Sequence, residues 1–518
     1  VTIQQWLIPL APEFVLLVGA GLVLLVGLGR RSGWASPTAF LTLAVAFGLS
    51  LYVEAPRNRE VLPGLWLTTL TDYTRWITYG LGLLMVLVNW YQPAAEERGE
   101  YMAMILFSLL GIALTAAAND WVVFFLALEL VSVPTYVLVA LSRTDARASE
   151  AAVKYFFLGA LSAALLAYGL SFLYGVSGTT AIHILSGGAT QSALDPTTQT
   201  GALIGLLLVF AGLFFKMAAF PFHAYAADVY EGAASPVTGL LGFVPKFAGL
   251  LGMIKVMAVF HWSPPTAVVW LLWIVAAATM TVGNVLGLVQ QNVKRALAYS
   301  SIAHTGYILA ALLVGPVLGQ GPLRDGVAAV LFYITVYGTM NLGAFAALSA
   351  YRSESREMET LADLGGLARR APATALALAI CVFSLTGLPP TAGFLAKIYV
   401  LSSALSVPSS RAFSEPLIWL AVIVAANTAI AGAYYLRIVY AAYVAPDATA
   451  LHPTGGRAVR FGLTLCTVPL LVFFVWPGGL ARRTQHAASA LHDVVRTRDV
   501  RITNAASPAT IDAAHTHP

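Results

Sequence analysis

From Pro12 to Trp476 the sequence repeats one unit, an apolar run followed by a short polar break. A helix needs about 20 apolar residues to cross the hydrocarbon core of a bilayer, and these runs are of that order. In lipid the backbone must satisfy its own hydrogen bonds, so the expected fold is an all-α polytopic membrane bundle. A membrane β-barrel would show alternating segments of about 9 to 11 residues instead. A soluble globule is excluded by composition, because only 10% of the residues are charged and 58% are hydrophobic, where soluble domains carry roughly 25% charged residues.

The polar breaks divide the chain into about 14 spans, near residues 12–28, 35–53, 72–91, 101–118, 121–141, 151–175, 202–223, 236–260, 266–289, 295–315, 325–350, 373–405, 416–444 and 458–476. An even number places both termini on one side. Arg30 and Arg31, Arg143 and Arg147, Lys294 and Arg295, Arg352, Arg356, Arg369 and Arg370, and Arg457 and Arg460 fall in or beside alternate gaps. The positive-inside rule assigns those gaps to the cytoplasm and both termini to the outside. The other gaps hold Arg57, Arg59, Arg324 and Arg411, while a tail with Arg482, Arg483, Arg496, Arg498 and Arg501 runs against the rule. The first run lacks a basic stretch before it and an A-x-A site after it, so it is expected to be retained as a span.

Two spans are broken in their interior, at LFFKMAAFPFHAY (213–225) and at SLTGLPPTAGFLAKIYV (384–400). Proline frees backbone groups that lipid cannot satisfy, and broken helices at membrane depth recur at ion sites in transporters built from repeats. The first runs inward with its lysine before the break; the second runs outward with its lysine after it. This opposition supports two inverted five-helix repeats, with two ordinary Pro-kinked helices as the alternative reading. The expected division is a three-helix segment over 1–99, repeats over 100–260 and 261–445, and a last helix and tail over 446–518.

Several chemistries are excluded. The net charge of +5 comes from Arg in short loops, with no basic stripe interleaved with aromatics, so nucleic acid is not an expected partner. Two cysteines, Cys381 and Cys466, cannot make a four-cysteine iron–sulfur site, and no metal site is expected. Neither a dinucleotide-binding glycine fingerprint nor a Walker A sequence is present, so no nucleotide cofactor is expected on this chain.

What remains are ionisable groups inside the spans, where each costs at least about 2.5 kcal/mol. These are Glu129, Lys216, Lys246 and Lys397, with His223 and His304 as companions. A row of deep protonatable groups is a candidate proton path. Burial favours the neutral form of an amine and a nearby carboxylate favours the charged form, so a changing partner can make a lysine hold or release a proton. A single Glu129–lysine pair reads equally as a static tie between helices. Three lysines exceed what one carboxylate can neutralise. His304 lies in a polar patch with Ser300, Ser301 and Thr305, whereas His223 is placed to cap the broken backbone. Lys154 and Lys255 are expected to snorkel to headgroups, Asp228 and Glu231 to be solvated or interface residues, and Gly393 to admit water beside Lys397.

The segments FFLALELVSVPTYVLVAL, FKMAAFPFHAYAADVYEGAASPVTGLL, VKRALAYSSIAHTGYILAAL and SLTGLPPTAGFLAKIYVL resemble the antiporter-like membrane subunits of respiratory complex I, shared with the multisubunit cation/proton antiporters. The DVYEGA stretch and a lysine at 397 resemble the N-type branch. The resemblance implies a proton-translocating subunit of NADH:quinone oxidoreductase in a bacterial inner membrane, beside an M-type subunit. It also implies Glu129 and Lys216 as a paired switch, Lys246 and His304 as a central relay, and Lys397 on the second broken helix. NADH, flavin, iron–sulfur clusters and quinone would belong to other subunits. A cation/proton antiporter without a redox partner is the alternative, and a scaffold whose charges only pair helices is a second.

Overall fold

A computed structural model describes residues 7–28, 32–53, 59–92, 97–182, 200–262, 264–317, 321–353, 356–408, 413–446 and 451–491. Arg30, Arg31, Arg57, Arg411, Arg496, Arg498, Arg501 and residues 183–199 of the long gap lie outside the described residues. Helices occupy every expected segment. In chain order they are α1 (Ala11–Gly27), α2 (Ala35–Tyr52), α3 (Thr69–Val88), α4 (Arg98–Ala117), α5 (Trp121–Leu141), α6 (Ala146–Ser177), α7 (Thr200–Met217), α8 (Ala224–Gly232), α9 (Ser235–Leu241) and α10 (Val244–Val259). They continue as α11 (Thr266–Leu288), α12 (Val293–Val314), α13 (Gly326–Ser349), α14 (Leu367–Arg370), α15 (Pro372–Thr386), α16 (Ala392–Leu405), α17 (Ser414–Tyr443), α18 (Gly456–Val475) and α19 (Gly478–Ala488).

Among the described residues, 11 helical segments are long and apolar enough to cross a membrane, with α9 and α10 counted as one, and α1, α15 and α16 are shorter apolar helices. Polar side chains fix where helices begin by accepting free backbone N–H groups. Asp120 accepts from Val122 at 2.8 Å, Asp145 from Ala148 at 2.8 Å and Asn292 from Arg295 at 3.1 Å, starting α5, α6 and α12. The α9–α10 pair and α13 are buried along their length and form the centre of the bundle. The outer helices α6 and α17 present Phe156, Phe157, Leu161, Trp419 and Tyr440 to the surroundings. Close contact of α11 with α12 depends on glycine: a Cβ on Gly306 would lie 2.6 Å from the Met280 nitrogen, and one on Gly283 2.7 Å from the Ala303 nitrogen.

Two small antiparallel sheets modify the all-α expectation. Strand β1 (Arg59–Leu62) pairs with β2 (Leu65–Leu67), and β3 (Tyr351–Ser353) lies between β4 (Arg356–Glu357) and β5 (Leu451–Pro453). The start of the Arg-rich tail forms α19. Leu480, Thr484, Ala487 and Ala488 are buried on one face, and the Arg483 guanidinium sits 4.7 Å from the Trp76 ring centroid.

Candidate functional site

Helix α5 carries Glu129 and Ser132 on one face, three residues apart. Lys216, in the last turn of α7, reaches both: its Nζ lies 3.0 Å from Glu129 Oε1 and 2.6 Å from Ser132 Oγ. The lysine side chain is 4% exposed and the carboxylate 22%, so the pair is closed on the amine side and partly open on the acid side.

Helix α7 ends at Met217, and Ala218 takes a left-handed φ of 54°. The break therefore falls before Pro221, inside the expected span. Met217 O would accept from the residue four positions on, which is Pro221 and has no N–H. Thr305 Oγ1 on α12 donates to it instead, at 2.7 Å. The Phe220 N–H donates to Thr279 Oγ1 on α11 at 3.0 Å. Two threonines from later helices thus complete the first break.

Lys246 lies in the first turn of α10, directly after Pro245, and is 2% exposed. Its Nζ donates to Ser301 O and, at 2.8 Å, to Thr305 Oγ1, and it lies 5.9 Å from the Tyr337 ring centroid. Its ammonium is met by dipoles where Lys216 meets a carboxylate. Tyr337 OH donates to Ser301 Oγ at 2.8 Å, and Tyr230 OH shares that hydroxyl at 3.1 Å. One turn on, His304 is 1% exposed, with Nδ1 2.6 Å from Tyr333 OH and Nε2 3.2 Å from Tyr435 OH.

The second break separates α15 from α16. Gly387, with φ 83°, closes α15 in the left-handed conformation that favours glycine. Lys397 lies across it, donating from Nζ to Thr386 O at 2.7 Å, with the Tyr307 ring centroid 5.1 Å away. Gly393 provides contact, contrary to the expected water space: its N–H donates to Ser384 Oγ at 3.1 Å, and a Cβ there would lie 1.8 Å from Ser384 O.

Other sequence expectations are corrected. Lys154 pairs with Glu150 and Asp228, at 2.8 and 3.0 Å, and Lys255 Nζ turns inward to Ala118 O at 2.7 Å. Asp228 and Glu231 are held by Arg295 at 2.8 and 2.7 Å. His223 makes no side-chain cap to α8, but as expected it bonds to the broken backbone, at Pro221, and it stacks on Phe220 with centroids 5.6 Å apart.

Two buried charge clusters escaped the sequence reading. Glu13 on α1 binds the fully buried Arg75 of α3, through Oε1 to Nε at 2.7 Å and Oε2 to an NH2 nitrogen at 2.8 Å. Its traces in the sequence were Glu13 inside the first expected span and the spacing of Asp72 and Arg75 in the third. The second is a clasp of Arg143, Lys294, Glu357 and Glu359. Arg143 reaches both carboxylates at 2.7 Å, Lys294 lies 3.8 and 3.6 Å from them, and Ser235 donates N–H and Oγ–H to Glu357 at 3.0 and 2.7 Å. Burial works to raise the Glu357 carboxyl, but Lys294, Arg143 and the two Ser235 bonds outweigh it and hold the group below its usual range.

The NADH:quinone oxidoreductase/Mrp antiporter transmembrane family matches over residues 118–427, which include all five sequence-selected site residues. NADH-quinone oxidoreductase subunit N of Trichlorobacter lovleyi is 40% identical over 368 residues, 70% of this chain and 72% of its own. The subunit N of Paramagnetospirillum magneticum is 33% identical over 501 residues, 94% and 98% of the two chains. A chain of respiratory complex I from Thermus thermophilus superposes with a TM-score of 0.74 at 28% identity, over 90% of this chain and 97% of its own. A chain of the Mrp complex from Dietzia sp. shares the fold, with a TM-score of 0.80 at 20% identity over 95% and 100% of the chains. Full-length identity of this order, on a bundle with two lysine-bearing breaks, means that the chain belongs to the NADH:quinone oxidoreductase/Mrp antiporter transmembrane family, among its NADH-quinone oxidoreductase N subunits.

Proposed function

We propose that Glu129, Lys216, Lys246, His304 and Lys397 carry protons through this chain, which acts as a proton-translocating membrane subunit of NADH:quinone oxidoreductase. The observation that carries the reading is their placement on one buried polar axis. Glu129 holds Lys216; the carbonyl after Lys216 is joined through the Thr305 hydroxyl to Lys246; and Tyr337 and Tyr333 lead past His304 toward Tyr307 and Lys397. A carboxylate at hydrogen-bond distance stabilises the ammonium of Lys216. Parting that pair removes the stabilisation and lets the amine pass its proton toward the next base.

The work comes from quinone reduction in partner subunits, which also handle NADH, flavin and iron–sulfur clusters. A cubane or two-iron cluster needs four protein ligands, usually thiolates, and this chain offers two cysteines on separate buried helices. The two breaks further support 14 spans in two inverted five-helix repeats, over about 100–260 and 261–445, between an N-terminal segment (1–99) and a last helix with its tail (446–518). Both termini face outward from the bacterial inner membrane, and an M-type antiporter-like subunit is the neighbour.

The test is the whole complex in sealed vesicles. Co-purification with a quinone-reducing arm and NADH-driven proton uptake are expected, and a chain that exchanges cations for protons without any redox partner would overturn the assignment in favour of an antiporter. Lys246→Arg tests the site itself. It preserves a positive charge that does not deprotonate under ordinary conditions, so turnover should fall although charge is kept. Full turnover would remove Lys246 from the path.

A further inference from the structure

We infer that Thr305 is a positioning residue that transmits the charge state of Lys246 to the first helix break. The inference rests on the proton-carrying role proposed above for Lys246. Thr305 is fully buried, and its Oγ1 lies 2.8 Å from Lys246 Nζ, 2.7 Å from Met217 O and 3.3 Å from Ser301 O. A hydroxyl has one hydrogen to donate and can accept two. An ammonium has three hydrogens and no lone pair, so Thr305 must accept from charged Lys246. Its own hydrogen then goes to Met217 O, the nearer carbonyl.

When Lys246 gives up a proton, its nitrogen gains a lone pair and becomes an acceptor. The Thr305 O–H can turn to it, and Met217 O loses its donor. That carbonyl cannot recover a helical partner, because the residue four positions on is Pro221. Met217 directly follows Lys216, so rotation of one hydroxyl alters the backbone that holds the lysine of the Glu129 pair. Thr279 provides the contrast: it accepts from Phe220 and donates to Val275 O at 2.5 Å. Its recorded bonds involve no lysine, so it is a fixed tie.

The titratable groups around Lys246 are Tyr230 and Tyr337 through the Ser301 hydroxyl, His304 on the helix of Thr305, and Lys216, whose Cβ would lie 3.4 Å from a Cβ on Gly249 of α10. The bonds recorded for the Thr305 hydroxyl go to Lys246, Met217 and Ser301.

The experiment measures assembly, NADH-driven quinone reduction and its pH profile in the reconstituted complex. Thr305→Val keeps the side-chain shape and removes the hydroxyl; turnover should fall about tenfold, the effect of one hydrogen bond, with a displaced pH profile. Thr305→Ser should restore both, and Thr279→Val should leave the profile in place. In a Lys246→Arg background, where the charge is fixed, Thr305→Val should add no further loss, whereas independent structural damage would multiply. A wild-type rate and profile in Thr305→Val, or multiplying losses, would overturn the inference. Should the valine variant not assemble, Thr305→Cys replaces it as a weak donor of similar size, and a wild-type profile there overturns the inference equally. Loss in Lys246→Arg with none in Thr305→Val defeats the role of Thr305 alone, while full turnover in Lys246→Arg defeats the underlying reading.

Discussion

The two broken helices use one residue type in opposite ways. At the first, Lys216 is held by a carboxylate from another helix, and the freed backbone groups are completed by Thr279 and Thr305 from beyond the break. At the second, Lys397 folds back onto Thr386 O of the preceding half-helix, and the Gly393 N–H closes onto Ser384. The first break is therefore wired to its surroundings, so that change elsewhere reaches it. The second closes its backbone groups on itself and meets its neighbours through the face of Tyr307 and through the Ser384 hydroxyl, which donates to Met340 Sδ of α13 at 3.3 Å. An ion pair that can part belongs to the first; a lysine held locally belongs to the second.

The largest effect should come from the first break. Glu129→Gln keeps the shape and removes the charge, so the complex should assemble and lose coupled quinone reductase activity about a hundredfold, the worth of a positioned acid or base. Membranes with normal assembly and near wild-type activity would erase the contrast, because the carboxylate would then be a static tie.

A smaller loss is expected at the second break. Lys397→Ala removes an amine that donates to one carbonyl and lies over one ring, and proton transport and quinone reduction should fall together about tenfold, one charge-assisted bond's worth. Proton pumping in vesicles measured beside redox turnover decides it. Wild-type ratio and rate would leave Lys397 a packing residue. Pumping lost with redox turnover intact would show that the two breaks are uncoupled.

The contrast was only partly legible in the sequence. Apolar runs marked where helices form, because bilayer thickness imposes a length, and FPF and LPP marked the two breaks. Glu129 and Lys216 stood out as costly groups in lipid. Thr279 did not, and Thr305 did so only as part of the polar patch around His304, since a threonine costs little in a span and its partner is set by packing: Thr305 and Met217 are 88 positions apart. Gly393 misled because glycine serves both openings and close contacts, and only the 1.8 Å approach to Ser384 O distinguishes them. The Arg143–Glu357 clasp was missed for the same reason as the threonines, its partners being 214 positions apart and in loops that composition marks only as polar.

That clasp supplies the smallest expected effect on turnover and a control for the first break. It is also a buried carboxylate–cation cluster, but it joins loop ends, with Arg143 just beyond α5, Ser235 at the start of α9 and Lys294 at the start of α12. Three residues hold Glu357 through four contacts, whereas Glu129 meets the Lys216 ammonium, which it shares with the Ser132 hydroxyl, so the clasp is built to stay closed. Glu357→Gln should leave turnover within about twofold at moderate temperature, yet lower the temperature at which the complex loses activity, because removing one partner of a buried ion pair costs about 3 kcal/mol. The pH dependence has a fixed sign. A carboxyl held below its unfolded value, about 4.3 for glutamate, contributes its stability fully above that value and loses it as pH falls through the lower folded one. Wild-type heat resistance should therefore be flat between about pH 6 and about pH 8 as far as Glu357 is concerned, and the difference from Glu357→Gln should shrink only on acidification below about pH 4. Heat-inactivation curves of the two complexes across that range measure it. A large turnover loss in Glu357→Gln without loss of heat resistance would make the clasp a moving part, and the distinction between a pair that opens and a cluster that stays shut would fail.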